Sequence, residues 1–249
     1  MIGLKLQYIT KPILTSEDYR EFLEYLNTLA DDKYRMFNEK LVPGREKILG
    51  VRVPVMRRIA KEIAYLCGEE YLRIPKGDIH EEIILHGLVI GCSKLSFEDM
   101  RDKIREYAKM VDNWANCDVP VSSFKSIQKH REEYKPEAVR FIKSENMWER
   151  RVGYVILLDH YLVEEYIDFV LDCLDGAADG EYYVQMAAAW LLATCAAKFE
   201  EKTVDFARER NIGKEIFKLF VKKCRESYRV GGEVVEELSG IYSDKYNRA

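Results

Sequence analysis

The strongest chemical signal in this sequence is a run of cations, KEIFKLFVKKCRESYR, from Lys214 to Arg229. At about 100° per residue, Lys214, Lys218, Lys222, Arg225 and Arg229 fall in a stripe about 80° wide. Ile216, Phe217, Phe220, Val221 and Cys224 fall on the other side. The pattern predicts an amphipathic helix with a basic outer face. Such a face is either a solvated surface or a ridge that contacts phosphates. Further cations gather at Arg52, Arg57, Arg58 and Lys61, at Lys125, Lys129, His130 and Arg131, and at Arg150 and Arg151. Several of these fall in first turns of expected helices, where backbone N–H groups also favour anions.

Aromatic residues stand close to charge at two places. Trp114 precedes Asp118 by four in VDNWANCD, and Trp148 precedes Arg150 and Arg151 in NMWERR. Residues four apart on a helix share a face. Pro120 complicates that geometry, because its ring disfavours a regular helix reaching back through residue 116. A helix starting near Asn116, with a tighter turn before it, is the expectation. A third tryptophan, Trp190, lies in YYVQMAAAWLLA. On pattern alone, an acid in a first turn serves the helix dipole and a tryptophan serves packing. The four histidines, His80, His86, His130 and His160, form no pair at ligand spacing. Six cysteines are scattered without a C-x-x-C pair, which points to buried thiols and not to a disulfide scaffold or a metal site. The glycine-containing loop Asp175 to Gly180 lacks the Lys and Ser/Thr of a phosphate loop.

The elements that must position these residues are helices. Thr15 or Ser16 can cap a helix carrying Tyr19, Phe22, Leu23, Leu26 and Leu29. A second helix is expected over Asp31 to Leu41, broken by Val42-Pro43-Gly44. Pro54 fits the first position of a third, with Val55, Ile59, Ile63 and Leu66 as its apolar stripe. Further helices are expected over 79–92, 97–110, 116–131, 136–144, 146–162, 164–174, 181–199, 201–209, 214–229 and 233–242. The period stays near 3.6 throughout, and no strand is expected. Helix pairs recurring at intervals of roughly 35 to 45 residues suit a HEAT-like, armadillo-type α-α superhelix. No linker divides the chain, so one repeat domain over residues 1–249 is expected.

Composition narrows the function classes. Hydrophobic residues make up 47% and charged residues 33%, an ordinary globular balance with a well-solvated surface. No run approaches the roughly 20 apolar residues that span a bilayer. Neither a membrane partner nor a signal peptide is expected, and the cytoplasm is the expected location. A net charge of −4 weighs against a surface that binds nucleic acid everywhere, while leaving room for a local basic face.

Five segments in order resemble the AlkD-like DNA alkylation repair family of DNA glycosylases. They are LGVRVPVMRRIAKEIA, VDNWANCD, NMWERRVGYVILL, YYVQMAAAWLLATCAAKF and KKCRESYRV, running from Leu49 to Val230. The resemblance implies HEAT-like helical pairs with duplex DNA carrying alkylated bases in a concave face. It implies excision of positively charged alkylpurines such as 3-methyladenine and 7-methylguanine, and it implies no metal or organic cofactor; solenoids of this kind are often monomers, so a monomer is expected. The family's acid in a W-x-x-x-D pattern falls on Asp118, with Trp114 ahead of it. Its arginine, the second of W-x-R-R, falls on Arg151, and a further aromatic falls on Trp190. In that reading Asp118 stabilises positive charge on the sugar, the tryptophans pack on sugar and backbone, and Arg151 holds a phosphate. Arg57, Arg58, Lys125, Arg150 and the Lys214–Arg229 stripe would contact DNA. The chain departs from the family in its acidic pI of about 5.8, in Pro120, and in Ala193 where a basic residue is often found. Two other uses of the same scaffold stay open: a binder of damaged DNA without catalysis, and a protein–protein scaffold.

Overall fold

The computed structural model describes residues 6–42, 44, 45 and 47–247. Pro43, expected to help end the second helix, lies outside them. The chain divides into two compact units, one up to His130 and one from Arg131. The first holds α1 (Ser16–Thr28), α2 (Asp32–Leu41), α3 (Val53–Arg73), α4 (His80–Cys92), α5 (Phe97–Ala108) and α6 (Trp114–Val121), followed by a 3-10 turn over Lys125–Lys129. The second holds α7 (Arg131–Ile142), α8 (Met147–His160), α9 (Ile167–Leu174), α10 (Tyr182–Lys198), α11 (Glu200–Glu209), α12 (Lys214–Glu226) and α13 (Gly232–Tyr246). Among the described residues there is no strand, only an isolated bridge between Ala177 and Ile212. The fold is an all-α helical repeat, as the 3.6 period predicts.

In the first unit, α3, α5 and α6 all pack on α4. Every residue from His80 to Ile90 is buried, so α4 is the unit's central post. Helix α1 begins where its sequence says: the Thr15 hydroxyl accepts from the Asp18 N–H, and the Asp18 carboxylate accepts from the Thr15 N–H. This reciprocal cap satisfies two donors that the first turn leaves without partners. In α3, Pro54 occupies the second position and not the first, because Arg52 is the cap. Its buried face is Met56, Ile59, Ala60, Ile63 and Cys67; Val55 and Leu66 of the expected stripe are only half-buried.

Two fully buried carboxylates hold the irregular segments of this unit. Glu62 accepts from the N–H groups of Gln7, Tyr8 and Ile9 at 2.9, 2.7 and 2.8 Å. Glu81 accepts from Leu49, Gly50 and Val51 at 2.9, 2.7 and 3.2 Å. A buried carboxylate is tolerated when several donors replace its water, and each of these has a run of three backbone N–H groups. Gly50 is required here, with φ +91° and a backbone so close to α2 that a Cβ would fall 2.7 Å from that of Arg35.

In the second unit α8, α10 and α12 pack in succession as one row, flanked by α7 on α8, α11 on α10, and α13 on α11 and α12. The expected helix over 136–144 instead begins at Arg131 and runs through Pro136, because Tyr134, Ala138 and Phe141 on one face are buried. That packing outweighs the single helix bond proline removes. The helix expected over 214–229 ends at Glu226, so Arg229 lies beyond it and leaves the stripe. None of the six cysteines forms a disulfide; Cys67, Cys117, Cys195 and Cys224 are buried as expected, and Cys92 and Cys173 are half-buried.

Candidate functional site

Helix α6 is short and fixed at both ends. The Asn113 side chain accepts from the N–H groups of Ala115 and Asn116, and the Asn116 side chain accepts in return from the Asn113 N–H at 3.2 Å. The helix therefore starts at Trp114, two residues before the expected start and without a tighter turn. It also runs through Pro120. Proline has no N–H to give the carbonyl of Asn116, four residues back. The buried Tyr107 hydroxyl donates to that carbonyl instead, so the bond is replaced from α5. At the far end the Arg57 guanidinium donates to the Val119 carbonyl at 3.1 Å and the Ser122 hydroxyl at 2.9 Å. A cation there also complements the helix dipole.

This frame presents Trp114 and Asp118 one turn apart, both half-buried, while Asn116 and Cys117 are buried beneath them. The Trp114 indole N–H donates to the carbonyl of Leu41, the last residue of α2, at 2.9 Å. That carbonyl belongs to a helix end with no partner of its own, so one bond fixes the ring and caps α2. Of the cations expected to contact DNA in this unit, Arg57 is committed to α6. Arg58 and Lys125 are exposed, as is Lys61, and none of the three has an ion pair among the described residues.

The second unit carries the other aromatic and cationic candidates. Trp190 is 37% exposed on α10, and Tyr182 at the start of the same helix is 58% exposed. Arg151 is only 4% exposed, and its Nη1 donates to the Tyr183 carbonyl at 2.7 Å. Arg150 donates to the Ser144 carbonyl at 3.0 Å and pairs with the Glu181 carboxylate. The Trp148 ring lies 5.0 Å from that of Tyr183. Together these contacts fasten the first turn of α8 to the first turn of α10. On α12, Lys214, Lys218, Lys222 and Arg225 are exposed and Ile216, Phe217, Phe220, Val221 and Cys224 are buried, as the sequence pattern predicts. Lys218 pairs with Glu215 at 3.3 Å and Lys222 with Glu226 at 4.0 Å. Such exposed pairs are weak and yield readily to a polyanion. Asp179 caps this helix, accepting from the N–H groups of Glu215 and Ile216.

A cavity of about 770 Å³ opens between α7, α8, α9 and α10. Lys143 and Arg150 line it, but so do Asp172, Asp175, Asp179 and Glu181, so it offers no single charge to a ligand. Among the described residues no group of His, Cys, Asp and Glu is placed to hold a metal ion. No helix among them is long and apolar enough to cross a membrane. Three features escaped the sequence reading: the Asn113–Asn116 cap, the Tyr107 hydroxyl and the Arg57 brace. The first was available in the spacing N-x-x-N. The other two depend on which helices meet.

A helical repeat of this class presents side chains along a surface instead of enclosing a deep pocket. The chain belongs to the family of DNA alkylation repair enzymes, whose family model matches residues 22–219. No curated protein matches it. The family match runs from within α1 to partway along α12. It includes Trp114, Asp118, Arg151 and Trp190 and stops short of Lys222, Arg225 and Arg229. The protein's role thus lies in DNA alkylation repair, as an enzyme acting on DNA.

Proposed function

We propose that the protein is a DNA glycosylase that excises positively charged alkylpurines, 3-methyladenine and 7-methylguanine, from duplex DNA. The observation that carries this reading is the placement of Trp114 and Asp118 on one face of α6, a helix held at both ends. Alkylation at N3 or N7 gives the purine a positive charge. When its bond to C1′ breaks, the electron pair goes to the base, which leaves neutral and needs no general acid. The sugar takes on oxocarbenium character. The Asp118 carboxylate stabilises that charge and orients the water that adds to C1′. The water's proton passes to the carboxylate or to solvent.

Trp114 packs on the sugar of the lesion, adding cation–π attraction to the charged ring. Its bond to Leu41 keeps the ring in place before DNA arrives. Trp190 offers the second unit's exposed indole to the DNA backbone. Arg58, Lys125 and the α12 cations with Arg229 contact phosphates and set register. Arg151 enters as a positioning residue, since its buried guanidinium holds the turn that carries Tyr183. Arg57 and Arg150 act likewise as braces for their helices. The test is chromatography of bases freed from methylated duplex DNA. Time-dependent release of 7-methylguanine and 3-methyladenine is expected. DNA binding without release would overturn the catalytic reading in favour of a binding protein.

A further inference from the structure

Helix α2 is anomalous for an amphipathic helix: none of its residues is buried. Met36 and Phe37 are each 56% exposed, and Leu41 is 39% exposed. At about 100° per residue, Met36, Lys40, Lys33, Phe37, Leu41 and Tyr34 occupy one arc about 160° wide. Asp32, Arg35 and Glu39 occupy the opposite side. That side is anchored by Arg35 alone, half-buried against the backbone of Gly50, while Asp32 and Glu39 are exposed. It is also neutralised within itself, because Arg35 pairs with Asp32 at 3.0 Å and with Glu39 at 3.4 Å. The outward arc keeps its charge. Lys33 and Lys40 are exposed and have no ion pair among the described residues. Between them the Phe37 and Tyr34 rings stack at 6.5 Å.

An outward face of cations interleaved with aromatic rings has the chemistry that nucleic acid meets: phosphates for the lysines, sugar and base surface for the rings. A partner offering only an apolar surface would cover Phe37 and leave both lysines unpaired. The face is also continuous with the site already described, since the last residue of α2 holds the Trp114 indole. We propose that α2 is a second DNA-contact surface. Lys33 and Lys40 pair with phosphates, and Phe37, flanked by Met36, lies on the sugar and base surface exposed where a nucleotide leaves the stack. The inference rests on the reading that Trp114 faces DNA.

The test measures binding of the full chain to a duplex carrying a stable abasic-site analogue, between 50 and 200 mM salt, roughly the range in which phosphate contacts show as a slope. The Lys33→Gln/Lys40→Gln double variant is expected to lower the slope of log affinity against log salt by about 1.8, close to 0.9 per phosphate contact. Phe37→Ala is expected to weaken binding about tenfold at every salt concentration, with the slope unchanged. All three positions are exposed, so the variants fold, which a melting curve checks. Variants that bind like wild type while wild type still releases alkylpurines would remove α2 from the interface and leave the glycosylase reading standing. Binding without release by wild type would defeat the catalytic reading and leave the α2 test intact. Self-association abolished by Phe37→Ala, with DNA binding unchanged, would show a second copy to be the occupant and overturn the proposal.

Discussion

Asp118 and Trp114 divide the proposed work between a charge and a surface, and each can be tested apart from the other. Trp114→Phe keeps a ring but loses the N–H that meets the Leu41 carbonyl. The loss of one such bond costs roughly 0.5–1.5 kcal/mol. Single-turnover base release should fall severalfold while DNA affinity changes little, because the ring remains but is no longer held. Arg151 gives a sharper contrast. Its truncation to alanine removes the bond to the half-buried Tyr183 and opens a void where a side chain only 4% exposed had packed, so a loss of roughly 2–4 kcal/mol is expected in urea unfolding. A positioning residue should leave the salt slope of DNA binding unchanged. A drop of about 0.9 in that slope would mark a phosphate contact instead.

The helices show which parts of this arrangement are legible in sequence. Thr15 ahead of Asp18 marks the start of α1 correctly, because capping is a local interaction of a few residues. The apolar face of α12 is likewise read correctly, since a 3.6 period needs no knowledge of the partner. Pro120 shows the limit. Its effect on α6 is decided by Tyr107, on the helix before, whose hydroxyl takes over the missing bond. The same holds for α2: its extent was legible, but the exposure of Met36, Phe37 and Leu41 depends on which helices cover it. For the site, the pairing of Trp114 with Asp118 was legible, and the burial of Arg151 was not. The first is set within one helix; the second is set by α10 packing on α8. A double-variant cycle tests the Pro120 argument. Tyr107→Phe alone should cost about 1–3 kcal/mol by stranding a buried carbonyl. In a Pro120→Ala background the new N–H serves Asn116, and the penalty should shrink to less than half. Equal penalties in both backgrounds would refute the compensation.

At the scale of the whole molecule, stability and charge set the conditions under which the site works. His86 is buried on α4, and burial, with help from Lys76 and Lys103, pushes its pKa down to about 3. A histidine whose folded pKa lies below its unfolded one binds its proton more readily when unfolded. Its contribution is therefore full above about pH 6.5 and is lost as the pH falls toward 3. One such group gives a slope of at most about 1.4 kcal/mol per pH unit in that window. Urea melts at pH 7, 5.5 and 4 should show His86→Leu losing less stability on acidification than wild type. Parallel curves would place the acid sensitivity elsewhere. The net charge of −4 makes DNA binding depend on a few exposed cations set against a repulsive background. Affinity should accordingly fall steeply with salt.

The central claim is that the Asp118 carboxylate stabilises the sugar cation as an alkylpurine leaves. Release of 7-methylguanine from methylated duplex DNA by wild type and Asp118→Asn, side by side, tests it most directly. The account predicts that wild type releases the base and that the variant, nearly isosteric and folded, is slower by about 100-fold or more. Equal release by the two proteins would contradict it.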